Sequence, residues 1–295
     1  MIFSDAFMEW AEVYRKPFVQ EVTWKKYENT HQKIQAQFKQ ATVDQITRKN
    51  VQVFLNVLSK KYGKLTVKTI LQQMKACSQS LLEDGEIKRD FTSGVRFSGI
   101  EKPKKKKYLE VSDAKKLIAQ LVLERPCDLM ILVALKTGMR FAEILGLTTA
   151  DVFESAIHVN KTFDYKYTKK FKTTKTKTSI RNISVDENTI DAIKHYTFLN
   201  NITENKMIFP DSIYSMQINR RLKRLCESLD IPTISFHGLR HTHGSLLLMQ
   251  GIPMISVSKR LGHASLSITQ DVYIHLMQEQ EEKDNETIIA LMEAI

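Results

Sequence analysis

Residues 99–108 read GIEKPKKKKY, and this stretch decides how the chain divides. It has a proline at 103, lysines at 102 and 104–107, and no apolar periodicity, so no regular helix or strand is expected to run through it. We place the boundary here: a helical domain over residues 1–100, a basic linker over 101–107 and a mixed domain over 108–295. A charge run of this kind is usually a solvated tether. Between two lobes that grip a polyanion it would have to cross that ligand, with Lys104, Lys105, Lys106 and Lys107 along its charges.

Upstream of the linker, apolar residues recur at helical spacing. Ser4 is placed to cap a first helix with Phe7, Trp10, Ala11 and Tyr14 on one stripe, and Thr23 a second with Trp24, Tyr27, Ile34 and Phe38. Thr47 opens a third carrying Val51, Phe54, Leu55 and Leu58, which Gly63 stops. A fourth runs from about Thr66 to Leu82, with Gly85 after it. The aromatic side chains fall on the apolar stripes and are assigned to the core rather than to base stacking.

Downstream the periodicity is mixed. Val111-Ser112-Asp113 reads as a capped helix start, a second helix covers about Asp128 to Thr137 before Gly138, and a short one begins at Phe141. Residues 156–159 and 181–185 alternate as strands do, with a lysine-rich segment between them. After Asp186 the chain is helical again, punctuated by Pro210, Pro232 and Pro253. The expected fold class is α+β and mostly helical, a small helical domain followed by a mixed α/β domain with a small antiparallel sheet.

Composition narrows the class of partner. Lys+Arg 44 against Asp+Glu 33 gives a net charge of +11, which favours a polyanion through phosphate neutralisation. The excess is concentrated in the linker and in Lys161, Lys166, Lys169, Lys170, Lys172, Lys175 and Lys177, whereas residues 279–286 are acidic. Cys77, Cys127 and Cys226 are scattered without C-x-x-C spacing and read as free thiols of a reducing cytoplasm. Asp5 and Glu9 sit where a secretory leader needs basic residues, and the apolar run from Leu129 to Leu135 is too short to span a bilayer, so no membrane partner is expected.

Four signatures occur in order: TGMRFAEILGL at 137–147, KTKTSIRNISV at 175–185, HGLRHTHG at 237–244 and LGHASLSITQDVY at 261–273. Together they resemble the tyrosine recombinase (phage integrase) family, whose signature is an arginine, a strand lysine, H-x-x-R, a Gly-His and a tyrosine. The resemblance covers the whole chain, since residues 1–100 are similar to the family's helical core-binding domain.

The resemblance implies a catalytic set of Arg140, Lys175, His237, Arg240, His263 and Tyr273. Attack on a phosphodiester loads negative charge onto its non-bridging oxygens, and guanidinium groups, always charged and bidentate, can hold that charge without a metal. Arg140 and Arg240 take that role and Glu143 orients Arg140. Tyr273, the only tyrosine after Tyr214, is the nucleophile. Lys175 is the general acid for the leaving 5′ oxygen, with Lys172 and Lys177 as alternatives that otherwise contact DNA. His237 accepts or relays the tyrosyl proton, and His263 hydrogen-bonds a phosphate oxygen. His237, His241 and His243 also carry the H-x-x-x-H spacing of a zinc site, but no cysteine or acidic third ligand stands at useful spacing. His241 and His243 are therefore assigned to structure, and no metal or cofactor is expected.

The implied activity is site-specific DNA cleavage and rejoining through a 3′-phosphotyrosine and a Holliday junction, integrating or excising a mobile element. The implied partners are double-stranded attachment or core sites, a homotetramer on DNA with the C-terminal tail exchanged in trans, and accessory DNA-bending or directionality proteins, in a nucleoid-associated cytoplasmic setting. The apolar end Ile288, Ile289, Leu291, Met292 and Ile295 is the candidate tail. A type IB topoisomerase and a catalytically silent DNA-binding regulator remain as alternatives.

Overall fold

The computed structural model describes residues 1–101, 106–173 and 179–263, together with 265, 266, 270, 285, 288, 289, 291 and 292. Lys104, Lys105, Lys175, Lys177 and Tyr273 lie outside the described residues. The chain forms two compact units, Met1–Lys104 and Lys105–Ile295.

The first unit packs α1 (Phe3–Tyr14), α2 (Glu21–Phe38), α3 (Arg48–Lys61) and α4 (Lys64–Glu83) around Phe3, Phe7, Ile34, Val51, Leu55, Met74 and Cys77. Thr47 caps α3 as expected, its side chain accepting from the Asn50 N–H. Ser4 does not cap α1. The helix starts upstream of it, with Ile2 as the cap residue and its carbonyl accepting Ala6 N–H at 3.0 Å, so Ser4 lies inside the first turn with its side chain buried. Nor does Thr23 cap α2: its own N–H goes to Gln20 at 2.7 Å, and the extended Gln20 is the cap. Gly63 is not a left-handed stop for α3, because with φ −65° it is the residue that opens α4. Gly85, at φ +75°, does follow α4 as expected.

The second unit opens with α5 (Val111–Ala119), which starts after Glu110 with no side-chain cap, and continues with α6 (Pro126–Thr137) and α7 (Phe141–Leu145). Residues 129–135 of α6 are buried all round, as an apolar helix at the centre of a domain must be. Its acidic residue is provided for: Asp128 is fully buried and accepts two bonds of 2.7 Å from Arg221 of α9 (Ser215–Ser228).

The strands form two antiparallel pairs. β1 (Ala156–Val159) pairs with β4 (Arg181–Ser184), placing Ile157 opposite Ile183, and β2 (Lys161–Phe163) pairs with β3 (Phe171–Thr173). They make two separate two-stranded antiparallel sheets, with the β2–β3 hairpin lying between β1 and β4 in the chain. Asp186 caps α8 (Glu187–Leu199), and α10 (Phe236–Met249) and α11 (Met254–Leu261) follow. The protein is α+β and mostly helical. Among the described residues no helix is long and apolar enough to cross a membrane.

Candidate active site

The site is built where two helices of the second unit end. Both α6 and α11 stop at a left-handed glycine, Gly138 with φ +69° and Gly262 with φ +66°. The two ends approach closely, since a Cβ on Gly138 would lie 2.5 Å from Leu261 Cδ2 and 2.8 Å from His243 Cδ2. The last carbonyls of a helix lack intrahelical partners and carry the negative end of its dipole, so such a junction attracts cations.

Arginines fill it. Arg240 Nη1 donates to Gly138 O at 2.7 Å, and Arg260 Nη2 donates to Lys136 O at 3.3 Å. At the other helix end, Arg140 Nη2 donates to Gly262 O at 2.9 Å and Arg181 Nε to Arg260 O at 2.7 Å. Among the described residues only one carboxylate enters the cluster. Glu143, 2% exposed, accepts Arg140 N–H and Arg140 Nη1, both at 2.8 Å, and faces the Arg181 guanidinium with both oxygens. Burial pushes the Glu143 carboxyl up, but the Arg181 hydrogen bonds and the Arg181 and Arg140 charges outweigh it and hold the pKa below the usual glutamate range.

The cluster is therefore strongly cationic, and Arg240 registers this. The side chain is 3% exposed, and burial together with the Arg140 charge pulls its pKa down to about 9. Its Nη2 is buried with no hydrogen-bond partner among the described residues. An unpaired buried charged donor is costly, and an anion reaching this atom would relieve it.

Three histidines border the cluster. Burial first, and then the Arg240 and Arg140 charges, lower the pKa of His237 and take His263 down to about 4. His241, one turn along α10, meets His237 edge to face with ring centres 4.9 Å apart. Its pKa is also about 4, through burial and then the nearby His237 and Lys107. All three rings are neutral at pH 7. His243 is structural, as expected: Nδ1–H donates to Leu135 O at 2.8 Å, which leaves Nε2 to accept from Arg260 Nε at 2.9 Å.

The structure thus gathers Arg140, Glu143, His237, Arg240 and His263 at one place. Lys172 is elsewhere engaged, its ammonium 2.6 Å from Asp164 across the β2–β3 hairpin, and Lys106 pairs with Glu110 at 2.9 Å. Among the described residues no group of His, Cys, Asp or Glu is arranged to hold a metal ion. The sequence reading missed Arg181 and Arg260. A signal existed for Arg181: it shares strand parity with the inward-facing Ile183, and an arginine on the buried side of a strand needs a buried acceptor.

Comparison with known proteins bears on the same residues. The phage integrase family model matches residues 107–280, and a phage integrase N-terminal SAM-like domain matches residues 2–59. A tyrosine recombinase XerC-like protein of Caldanaerobacter subterraneus subsp. tengcongensis is 25% identical over 255 residues, 76% of this chain and 65% of that protein. The ICEBs1 integrase of Bacillus subtilis is 26% identical over 262 residues, 81% of this chain and 69% of that one. The chain thus spans about two thirds of the length of these relatives. In fold it is similar to the Tn1549 transposon integrase solved with transposon right end DNA, with a TM-score of 0.76 at 16% identity, covering 96% of this chain and 99% of that one. The arginine junction, with its H-x-x-R helix and Gly-His turn, lies within the 107–280 match, and the chain belongs to the phage integrase family.

Proposed function

We propose that this protein is a site-specific recombinase that breaks and rejoins double-stranded DNA through Tyr273. One observation carries the reading: among the described residues Arg240 Nη2 is a buried donor without a partner, set with Arg140, Arg181 and Arg260 against the one carboxylate of Glu143. A phosphodiester supplies the anion that such a pocket lacks, and its charge grows on the way to the transition state, where these donors bind it best. The Tn1549 and lambda integrases were solved on DNA, which supports DNA as the partner.

In the proposed reaction the Tyr273 oxygen attacks phosphorus and its proton passes to His237, whose lowered pKa leaves the ring neutral and able to accept it. The P–O bond to the 5′ oxygen breaks, and Lys175 protonates that oxygen as it leaves. Arg140 and Arg240 hold the non-bridging oxygens, with Glu143 orienting Arg140 and neutral His263 donating one hydrogen bond. The 3′-phosphotyrosine conserves the bond energy, so a 5′ hydroxyl from the partner duplex can reverse the step without ATP. Lys104, Lys105, Lys106, Lys107 and Lys177 contact the phosphate backbone. Integration or excision of a mobile element is the role this chemistry serves.

The assembly is a homotetramer on DNA. Ile288, Ile289, Leu291 and Met292 are 54%, 58%, 60% and 58% exposed, so this apolar end has little cover and is suited to docking on a second copy. The decisive experiment is a nicked suicide substrate carrying the cognate site, resolved by denaturing electrophoresis. Wild-type protein should give a covalent adduct and Tyr273→Phe none, with DNA binding retained. An adduct that persists in Tyr273→Phe would place the nucleophile elsewhere.

A further inference from the structure

We propose that Arg181 is a positioning residue for this reaction, acting on Arg140; the inference rests on the recombinase reading above. Arg181 opens β4, directly after the segment that contains the candidate general acid, and its side chain is only 7% exposed. Its nitrogens are committed to protein acceptors: Nε to Arg260 O at 2.7 Å, Nη1 to Ser179 O at 3.0 Å and Glu143 Oε1 at 3.3 Å, and Nη2 to Glu143 Oε2 at 3.1 Å. In that respect it differs from Arg240, which keeps a buried nitrogen without a partner among the described residues. Arg181 is placed to hold protein groups, where Arg240 is placed to hold the substrate.

What it holds is the seat of Arg140. The Arg140 guanidinium rests on two acceptors, Glu143 Oε1 and Gly262 O. Arg181 fixes the first by facing both Glu143 oxygens. It fixes the second by binding Arg260 O and by packing under Gly262, where a Cβ would come within 3.0 Å of Arg181 Nη1. The side chains form a closed circuit, Arg181 to Glu143 to Arg140 to the Gly262 turn and back. It spans β4, α7 and the end of α11, which are remote in sequence. A planar fork with three donor nitrogens can close such a circuit, whereas a lysine has one head and cannot. Loss of the fork leaves Arg140 in place chemically but free to swing, and a misplacement of about 1 Å at a reacting centre lowers rate by as much as about 10²-fold.

The test is single-turnover cleavage of the nicked suicide substrate by wild type, Arg181→Lys, Arg140→Ala and the double variant, with melting temperature and half-site binding measured alongside. Arg181→Lys should cleave about 10–100-fold more slowly than wild type. In the Arg140→Ala background the same change should have an effect of less than about twofold, because the residue it acts through is gone. A purely structural role would slow cleavage by the same factor in both backgrounds, and that result overturns the proposal, as does full activity of Arg181→Lys. Should Arg181→Lys fail to fold, Glu143→Gln, which breaks the same circuit at its centre, takes its place with the same expected coupling. If wild type forms no adduct, the recombinase reading itself fails; if it does and the coupling is absent, only the role of Arg181 fails.

Discussion

Arg240 donates its Nη1 to the carbonyl oxygen of Gly138 at 2.7 Å, a contact across 102 residues of sequence. It joins the H-x-x-R helix to the C-terminal end of the most deeply buried helix in the second unit. A guanidinium anchored by one nitrogen to a rigid carbonyl is oriented before any ligand arrives, and its second terminal nitrogen is aimed without further loss of side-chain freedom. This preorganisation is what an electrostatic catalyst needs.

Arg240→Lys keeps a charge but cannot bond Gly138 and a phosphate oxygen in the same fixed geometry. We expect single-turnover cleavage to fall by about 10²–10³-fold, with half-site binding reduced far less. A loss under about tenfold in the quenched-time-course assay would remove Arg240 from the transition-state clamp.

Gly138 is required twice, by its left-handed φ of +69° and by the 2.5 Å approach that a Cβ would make to Leu261 Cδ2. Gly138→Ala should destabilise the second unit by more than the 1–2 kcal/mol typical of the left-handed conformation alone. Urea unfolding would register this as a lower midpoint. An unchanged midpoint would mean that the α6 and α11 ends can part freely.

His243 gives the protein an acid-sensitive core. Its folded pKa is about 4 against an ordinary 6.5, because burial and the Arg260 charge both oppose protonation. The folded state thus releases this proton more readily than the unfolded state does. The resulting stabilisation is complete above pH 6.5 and is lost as pH falls from there toward 4. From His243 alone the loss between pH 7 and pH 5 is about 2 kcal/mol. His263 and His241 shift the same way and add to the slope. His243→Asn should flatten the stability profile over this range, and equal slopes for variant and wild type would show that the ring is not held neutral.

The general acid can be separated from substrate binding by chemistry. A 5′-phosphorothiolate leaves as a thiolate and needs little proton donation, so Lys175→Ala should fail on ordinary DNA and cleave the sulfur substrate. Lys172→Ala should cleave both, in keeping with the engagement of Lys172 by Asp164. Rescue of Lys177→Ala instead would move the role by two residues.

Deleting residues 287–295 removes the exposed apolar end. We expect folding and half-site binding to survive while tetramer formation on DNA and recombination decline, as followed by native gel shift and product yield. Full recombination by the truncated protein would make the tail dispensable for assembly.

The four signatures and their order were legible in the sequence because each is local: a motif within one turn or one strand is fixed by residue type and spacing. Local rules also gave the Thr47 cap, the Gly138 stop and the alternation of β1 and β4. They failed at Ser4 and Thr23, because the helices begin upstream of these hydroxyls, after Ile2 and Gln20, and leave both residues inside the first turn. Above all, spacing along the chain gave no sign that α6 and α11 end against each other. That meeting turns two sets of unpaired carbonyls into seats for Arg140, Arg181, Arg240 and Arg260, and makes Glu143 the shared counterion of Arg140 and Arg181. Sequence alone determined which side chains could do the chemistry. Only the tertiary structure decided how they are held, because a guanidinium is aimed by acceptors supplied from helix ends more than a hundred residues away.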